Sequence, residues 1–474
     1  MLAAPRLCSG RPDRVTPRIM TNSPRGNRKR AAVILAAGQG TRMESARPKV
    51  LHEVGGRAML YHVMAVADEL SAAPMVVVVS PTMRPVAAAA TAFHPAAISA
   101  VQEAARGTAD AVAAARSTLS SYTGDVFVLC GDTPLLTART LERMAAARDA
   151  GADIVVLGFR TDFPTGYGRL VSDDDGRLLK IVEERDATAF ERRITLCNSG
   201  VVLADRERLF DLIGEIGCDN AKQEYYLTDI IGVARGHSLE CVAVEGEEAE
   251  VLGVNSLAEL AEAEAAFQDR MRLAAMASGA TLVDPQTVYF SHDTRLGRDV
   301  VVEPHVIFAP GVIVEDGAAI RAFSHLEGVH VGSGAQIGPF ARLRPGTDIG
   351  TGARVGNFVE VKKSRLEAGV KANHLAYIGD AFVGEDANIG AGTIFCNYDG
   401  FEKHETYVGR GAFIGSNNSL VAPVRIGDNA YTGSGSVISK DVSDGALALG
   451  RAPQQEKPGW AAKNAARKKK PKHE

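Results

Sequence analysis

In the carboxy-terminal third, one chemical type returns every sixth position. Val302, Phe308, Val314, Ile320 and Leu326 form one series. Val331, Ile337, Leu343, Ile349, Val355 and Val361 form a second, and Val408, Ile414, Leu420, Ile426, Thr432 and Ile438 a third. Glycine often follows the aliphatic residue, as at Gly332, Gly338, Gly350, Gly356, Gly415 and Gly427. An α-helix repeats its apolar face near 3.6 residues and a half-buried strand near 2, so neither produces this period. A parallel β-helix does, because each hexad supplies one short face and a turn, and coils stack about 4.8 Å apart. Each inward aliphatic contributes about 1.5–3 kcal/mol through burial. Two stretches break the series, 362–382 and 396–407, with Val383, Ile389 and Phe395 holding the rhythm between them.

The preceding residues obey another rule. AAVILA (31–36), MVVVV (75–79) and DVFVLC (125–130) are apolar runs ended by turn signals, with helical stretches such as His62–Leu70 between them. Such alternation implies a parallel sheet covered on both faces. In GRLVSDDDGRLLKIVEE (168–184), two strands flank Asp174, Asp175 and Gly176, which predicts a hairpin appended to that sheet. Ser256 to Ala277 reads as a helix, with Ser256 and Glu259 forming a capping box and Gly279 providing a stop. Its apolar face (Leu257, Leu260, Phe267, Met271, Met276, interrupted by Glu264) is ragged, which suits a connecting arm better than a core helix.

A chain of 474 residues with net charge −4 is expected to form two or three domains, and nothing in that balance calls for nucleic acid. No apolar run approaches the roughly 18 residues that span a bilayer. Cys8, Cys130, Cys197, Cys218, Cys241 and Cys396 are scattered without a C-x-x-C pair, which points to a reducing, cytoplasmic setting and away from a thiolate metal site. The Arg-rich residues 1–30 read as a disordered extension, with initiation at Met20 and a transit peptide as alternatives. Residues 453–474 read as a basic, solvated tail.

Three clusters carry chemistry. In AAVILAAGQGTRM (31–43), a strand enters a turn where Gly38 and Gly40 let backbone N–H groups approach phosphate, and Arg42 and Lys49 add positive charge. The turn is neither a Walker loop nor a full Rossmann fingerprint, so a plain strand–helix turn stays open. Asp132 follows the third strand, where open α/β sheets place their sites; it suits Mg²⁺, or alternatively caps a turn. The interruptions of the hexad rhythm contain His374, Tyr377, Asn397 and Tyr398. Histidine ordinarily titrates near pH 6.5 and suits a general base, while Arg344 and Lys362 suit a phosphorylated substrate. The competing reading makes both interruptions polar surface loops.

LAAGQGTRM, RPK (47–49), QEAARGTADA (102–111), CGDTP, TGYGR (165–169), IVEE (181–184), NSG (198–200) and GVN (253–255) occur in the order seen in sugar-1-phosphate nucleotidylyltransferases. With the arm and the hexads, the chain resembles the family of bifunctional N-acetylglucosamine-1-phosphate uridylyltransferase/glucosamine-1-phosphate N-acetyltransferases. The resemblance implies an α/β nucleotidyltransferase domain with a Rossmann-like mixed sheet (31–255), a linker helix (256–278) and a left-handed β-helix acetyltransferase domain (279–452). It places Leu35, Ala37, Gly38, Lys49, Gln102, Gly107 and Thr108 on the uridine nucleotide. Gly168, Glu183, Asn198 and Asn255 fall on the sugar, and Asp132 and Asn255 on Mg²⁺. Arg42 and Lys49 neutralise charge while a sugar phosphate attacks UTP and pyrophosphate leaves. In the acetyl site, His374 is the base, and Arg344, Lys362, Tyr377, Asn388 and Lys403 hold glucosamine 1-phosphate. Ala391, Asn397, Tyr398, Ser416, Ser434 and Arg451 meet acetyl-CoA. Gln39 and Ser434 depart from the commoner Lys and Ala.

The resemblance further implies a cytoplasmic homotrimer assembled through the β-helix, feeding peptidoglycan and lipopolysaccharide (lipid A) precursors, with no nucleic-acid or membrane partner. Two rivals stand beside it: a single-activity nucleotidylyltransferase whose β-helix is structural or regulatory, and a nucleic-acid scaffold driven by the basic tails.

Overall fold

The computed structural model describes residues 28–220 and 222–468. The expected extension up to residue 27, with Met20 and Cys8, and the tail end at 469–474 lie outside the described residues.

Nine strands form the amino-terminal sheet: β1 (Arg30–Leu35), β2 (Met75–Val79), β3 (Ile98–Val101), β4 (Asp125–Cys130), β5 (Ile154–Arg160), β6 (Arg169–Ser172), β7 (Leu178–Val182), β8 (Leu196–Asp205) and β9 (Cys241–Gly246). Their order is β9-β5-β8-β4-β1-β2-β3, with the hairpin β6–β7 attached to β8. Strand β1 shows why these runs are apolar throughout. Ala31 and Val33 face one core with Val126 and Val128, while Ala32 and Ile34 face another with Phe127 and Leu129. The sheet is mixed, as the resemblance implies: β8 runs antiparallel to both β4 and β5, a direction that strand–helix alternation alone does not show. An apolar run carries no signature of direction, and here the β6–β7 hairpin returns the chain from the opposite end of the sheet. In the hairpin turn, Asp173 accepts from the backbone of Asp175 and Arg177, and Gly176 takes φ +80°.

The arm is the helix Leu257–Ala277, and its capping box forms as expected between Ser256 and Glu259. Its polar face is used rather than solvated. Gln268 donates to Phe290 O at 2.7 Å and Arg272 to Val288 O at 3.1 Å, so the helix is bonded to the start of the β-helix. On the other side, Glu264 accepts from Gly55 N at 2.7 Å, in the loop of the small hairpin that follows Lys49.

Beyond Gly279 the chain winds into three parallel sheets of ten, eight and eight strands, a three-sided β-helix consistent with the left-handed form. Registers such as Val302↔Ile320, Phe308↔Leu326 and Val314↔Val331 stack the hexad aliphatics, which line one continuous core. The expected break at 362–382 is not one. Leu366, Ala372, Ile378 and Val383 are fully buried in that core, and Lys371–His374 and Tyr377–Gly379 are strands in unbroken ladders. The steps Val361 to Leu366 and Ile378 to Val383 take five residues instead of six, which shifts the phase without opening the wall. The excursion expected at 396–407 is real but shorter: it leaves after Cys396, folds back through a Tyr398↔Lys403 bridge, and rejoins the ladder at Thr406. Trp460–Lys468, inside the expected tail, is helical.

Candidate functional sites

The first site is a cleft of about 550 Å³ at the carboxyl ends of the parallel strands. Leu35, Ala37, Gly38, Lys49, Gln102, Gly107, Thr108 and Asp132 all line it, so residues spread over about a hundred positions meet in one cleft. Nothing approaches the place a Cβ of Gly38 would occupy, which leaves its backbone open to a ligand. Gly40 serves another purpose. It takes φ +63°, and a Cβ there would come 2.6 Å from Lys49 Cβ, so this glycine makes room for the lysine. Lys49 forms an ion pair with Asp132 and donates to Asn255 Oδ1 at 3.1 Å. Arg42 stands exposed in the turn Thr41–Met43 and is not among the residues lining the cleft.

Gln102 is buried, and its amide donates to Gly107 O (3.1 Å) and Asp110 Oδ2 (2.9 Å). Both are acceptors, which fixes the NH₂ side and turns the amide oxygen toward other donors. Gly107 has φ +117°, and a Cβ would collide with the Tyr225 backbone. Tyr225 belongs to QEYYLTD (223–229), a segment that motif reading missed; Ser80, Thr82 and Glu224, also missed, line the cleft.

Gly168, Glu183 and Asn198 are mutual neighbours: a Cβ on Gly168 would lie 3.6 Å from both Asn198 Cβ and Glu183 Oε1. Asn198 opens a bulge where the β8–β5 register slips, and Ser199 Oγ anchors the bulge to Leu157 O at 2.7 Å. Burial pushes the Glu183 carboxyl up, and a hydrogen bond from Thr228 opposes that shift. Asn255 sits apart from this trio in the hydrogen-bond pattern, tied to Lys49 and, through its backbone N–H, to Glu259.

The β-helix carries the other groups on two sides of one corner. On one side Arg344 pairs with Glu360 at 2.9 Å, and Lys362 lies 4.0 Å from Asp380. Asn397 is buried and donates to Asp380 Oδ2 at 2.5 Å, with Tyr377 Oη at 3.5 Å. It therefore joins the Lys362–Tyr377 cluster, whereas Tyr398 is exposed and bonds Gly400 O. Lys403 from the excursion reaches the same cluster, where a hydrogen bond and repulsion from Lys362 hold its ammonium below the usual lysine value. Two adjacent cations with one shared carboxylate are suited to an anion.

On the other side of the corner, His374 aligns in register with Asn357. Backbone bonds continue the column: Leu375 N to Asn357 O (3.0 Å), Gly392 N to His374 O (3.4 Å), Asn417 N to Ala391 O (2.7 Å) and Gly435 N to Ser416 O (2.8 Å). His374, Ala391, Ser416 and Ser434 thus form one file, one residue per coil. Ser434 Oγ accepts from Ser416 N at 3.1 Å, so the departure from Ala adds a bond between coils. The next residue in each coil is Phe358, then Leu375, Gly392, Asn417 and Gly435; the file is flanked by bulk before His374 and by small or polar groups after it. Arg451 Cδ comes 3.9 Å from a Cβ built on Gly435, at the far end of this track. Asn388 lies on the outward face of the same sheet, between Lys371 and Phe413.

The family model for the MobA-like NTP transferase domain matches residues 32–216, and that for the bacterial transferase hexapeptide (six repeats) matches 328–363 and 405–440. "Bifunctional protein GlmU" of Paramagnetospirillum magneticum is 54% identical over 448 residues, covering 93% of this chain and 99% of that protein. The protein of the same name from Azorhizobium caulinodans is 56% identical, covering 93% and 98%. The chain belongs to the GlmU family. The two hexapeptide matches of this GlmU member flank residues 364–404, where the five-residue steps and the excursion disturb the repeat; His374, Tyr377 and Lys403 all lie in that interval.

The described residues hold no group of three or more His, Cys, Asp or Glu side chains able to enclose a metal. Among them no helix is long and apolar enough to cross a membrane, and their five cysteines are unpaired.

Proposed function

We propose that the chain makes UDP-N-acetylglucosamine in two steps at two sites. The β-helix site transfers acetyl from acetyl-CoA to glucosamine 1-phosphate. The cleft site transfers UMP from UTP to N-acetylglucosamine 1-phosphate and releases pyrophosphate. The observation that carries this reading is the coexistence, on a GlmU-family chain, of a nucleotide-sized cleft at strand ends and a histidine file beside a cationic cluster.

In the acetyl site His374 Nε2 takes a proton from the sugar amine as it attacks the thioester, and Arg344, Lys362 and Lys403 hold the phosphate. Tyr377 and Asn388 bind the sugar. The track Ala391–Ser416–Ser434, ending at Arg451, takes the extended coenzyme, while Asn397, buried against Asp380 and Tyr377, supports the sugar-phosphate cluster instead. A purely structural β-helix has no reason to collect Arg344, Lys362 and Lys403 around one exposed corner.

In the cleft, backbone N–H groups at Ala37 and Gly38 receive phosphate, Gln102 with Gly107 and Thr108 reads uracil, and Gly168, Glu183 and Asn198 orient the sugar. Lys49 neutralises phosphate charge, and Arg42 adds positive charge from the exposed turn that follows Gly38. Asp132 and Asn255 fit Mg²⁺: two oxygens from distant segments already converge on one positive charge, the Lys49 ammonium. Bound there, the ion supplies charge neutralisation to the transferring phosphate, and substrate and water complete its oxygens.

The division at 31–255, 256–278 and 279–452 separates the two activities, in a cytoplasmic enzyme feeding peptidoglycan and lipid A precursors. A homotrimer through the β-helix is supported by an exposed aromatic ladder. Rings of His305, Phe323, Phe340 and Phe358 stack at 4.8, 4.8 and 5.2 Å, and the three phenylalanines are 51, 45 and 56% exposed. A straight ladder with one ring per coil matches identical ladders related by rotation about a parallel axis.

The test supplies glucosamine 1-phosphate, acetyl-CoA, UTP and Mg²⁺ and follows coenzyme A and pyrophosphate together. Release of both is expected; release of only one removes half the reading. His374→Ala should abolish coenzyme A release and spare uridylyl transfer from N-acetylglucosamine 1-phosphate.

A further inference from the structure

The segment Gln223–Asp229 is used by neither set of groups assigned above, yet it touches both halves of the cleft. Its start is pinned by Asn220, whose side chain bonds Glu224 N (3.2 Å) and Glu224 O (2.5 Å). Tyr225 N donates to Arg106 O (2.8 Å), and Tyr225 O accepts from Ala109 N (2.9 Å). Gly107 lies against the Tyr225 backbone so closely that no side chain fits between them. Two residues on, Leu227 N donates to Thr108 Oγ1 at 2.9 Å. The next side chain, Thr228, is buried, and its hydroxyl donates to Glu183 Oε1 at 3.2 Å. In four residues the segment passes from the loop that reads the base to the carboxylate assigned to the sugar.

We infer that Thr228 is a positioning residue for uridylyl transfer: its hydroxyl fixes the Glu183 carboxylate for the sugar hydroxyls and ties that orientation to the nucleotide-reading loop. The inference rests on the assignment of Glu183 to the sugar. A buried carboxylate without a donor turns toward any available proton or takes one up. Thr228 supplies the donor from a backbone that Gly107 and Thr108 hold in place, so Glu183 is set before the sugar arrives. The charged groups around Glu183 are Lys222, which favours its ionised form, and Asp186 and Asp229, which oppose it. Removing the Thr228 hydroxyl leaves burial and the two aspartates less opposed, and the carboxyl moves further up.

Thr228→Val keeps the shape and deletes the donor. It should raise the KM for N-acetylglucosamine 1-phosphate about tenfold, the loss of one hydrogen bond to a charged group. The KM for UTP and the acetyl-transfer rate of the same chain should stay unchanged, which also reports that the variant is folded. The acid limb of kcat/KM for the sugar phosphate should move to higher pH, and Thr228→Ser should recover most of the loss. Glu183→Gln separates the two levels of the argument. If Glu183→Gln leaves the sugar KM unchanged, the sugar-site assignment fails. If it raises the sugar KM while Thr228→Val does not, or if Thr228→Val weakens UTP equally, the positioning role of Thr228 is overturned.

Discussion

His374 Nδ1 lies 2.7 Å from Asn357 Oδ1, one coil earlier on the same sheet. An amide oxygen only accepts, so Nδ1 carries the proton and Nε2 is the free base. The amide thus sets the tautomer and the ring orientation. Asn357→Ala should lower acetyl-transfer kcat/KM roughly tenfold to hundredfold, less than loss of the base proposed at His374, which general-base arguments put near ~10²–10⁴. Coenzyme A release measures this, with uridylyl transfer as the unchanged internal reference.

Asp132, Lys49 and Asn255 meet although they lie in three separate segments, and Val254 N donates to Asp132 O at 3.0 Å, so the last segment is fastened to the second. Asp132→Asn keeps the shape and removes the charge that holds either the ammonium or a divalent ion. Uridylyl transfer should fall by at least about a hundredfold, the scale of one lost electrostatic group at a phosphoryl centre. A chelator should stop pyrophosphate release and leave coenzyme A release intact; equal inhibition of both would contradict the separation of sites.

Phe323, Phe340 and Phe358 hold φ between 56° and 60°, a left-handed conformation that bulky residues rarely adopt, and still face outward. In the proposed trimer, symmetry mates would cover the ladder and offset that strain. Phe340→Asp should shift sedimentation from trimer toward monomer and depress acetyl transfer, because the ladder leads directly to Leu375 beside His374. Uridylyl transfer should survive. A trimer unchanged in size would remove this corner from the interface.

His62 sits where the small hairpin after Lys49 meets the arm. Its Nε2 donates to Val54 O at 2.8 Å, and its ring packs edge-on to Phe267 and His292 at 5.8 and 6.1 Å. Burial pushes its pKa down from 6.5 to about 4, with Arg57, His292 and Arg270 acting the same way. The unfolded chain therefore binds the proton first. Stability from this group is complete above about pH 6.5 and is lost as pH falls toward about 4, on the order of 3 kcal/mol in all. Comparing urea midpoints of the parent and His62→Phe at about pH 7.5 and 5 measures it; the variant should lose less stability on acidification.

The hexad series determined the β-helix by itself, because a core built from one residue per turn leaves its period in the chain. The same holds for β1, β2 and β4, for the β6–β7 hairpin, and for the capping box at Ser256, all set by local chemistry. Direction and neighbourhood were decided only in three dimensions. The antiparallel β8 reads like any other apolar run. The phase slip at 362–382 resembles a loop until Leu366, Ala372 and Ile378 are seen inside the core. Asn357, 17 residues before His374, and Thr228, 45 residues after Glu183, act through space and leave no local pattern. A period records what each residue is buried against in its own coil or strand; a site records which distant segments the finished core brings together.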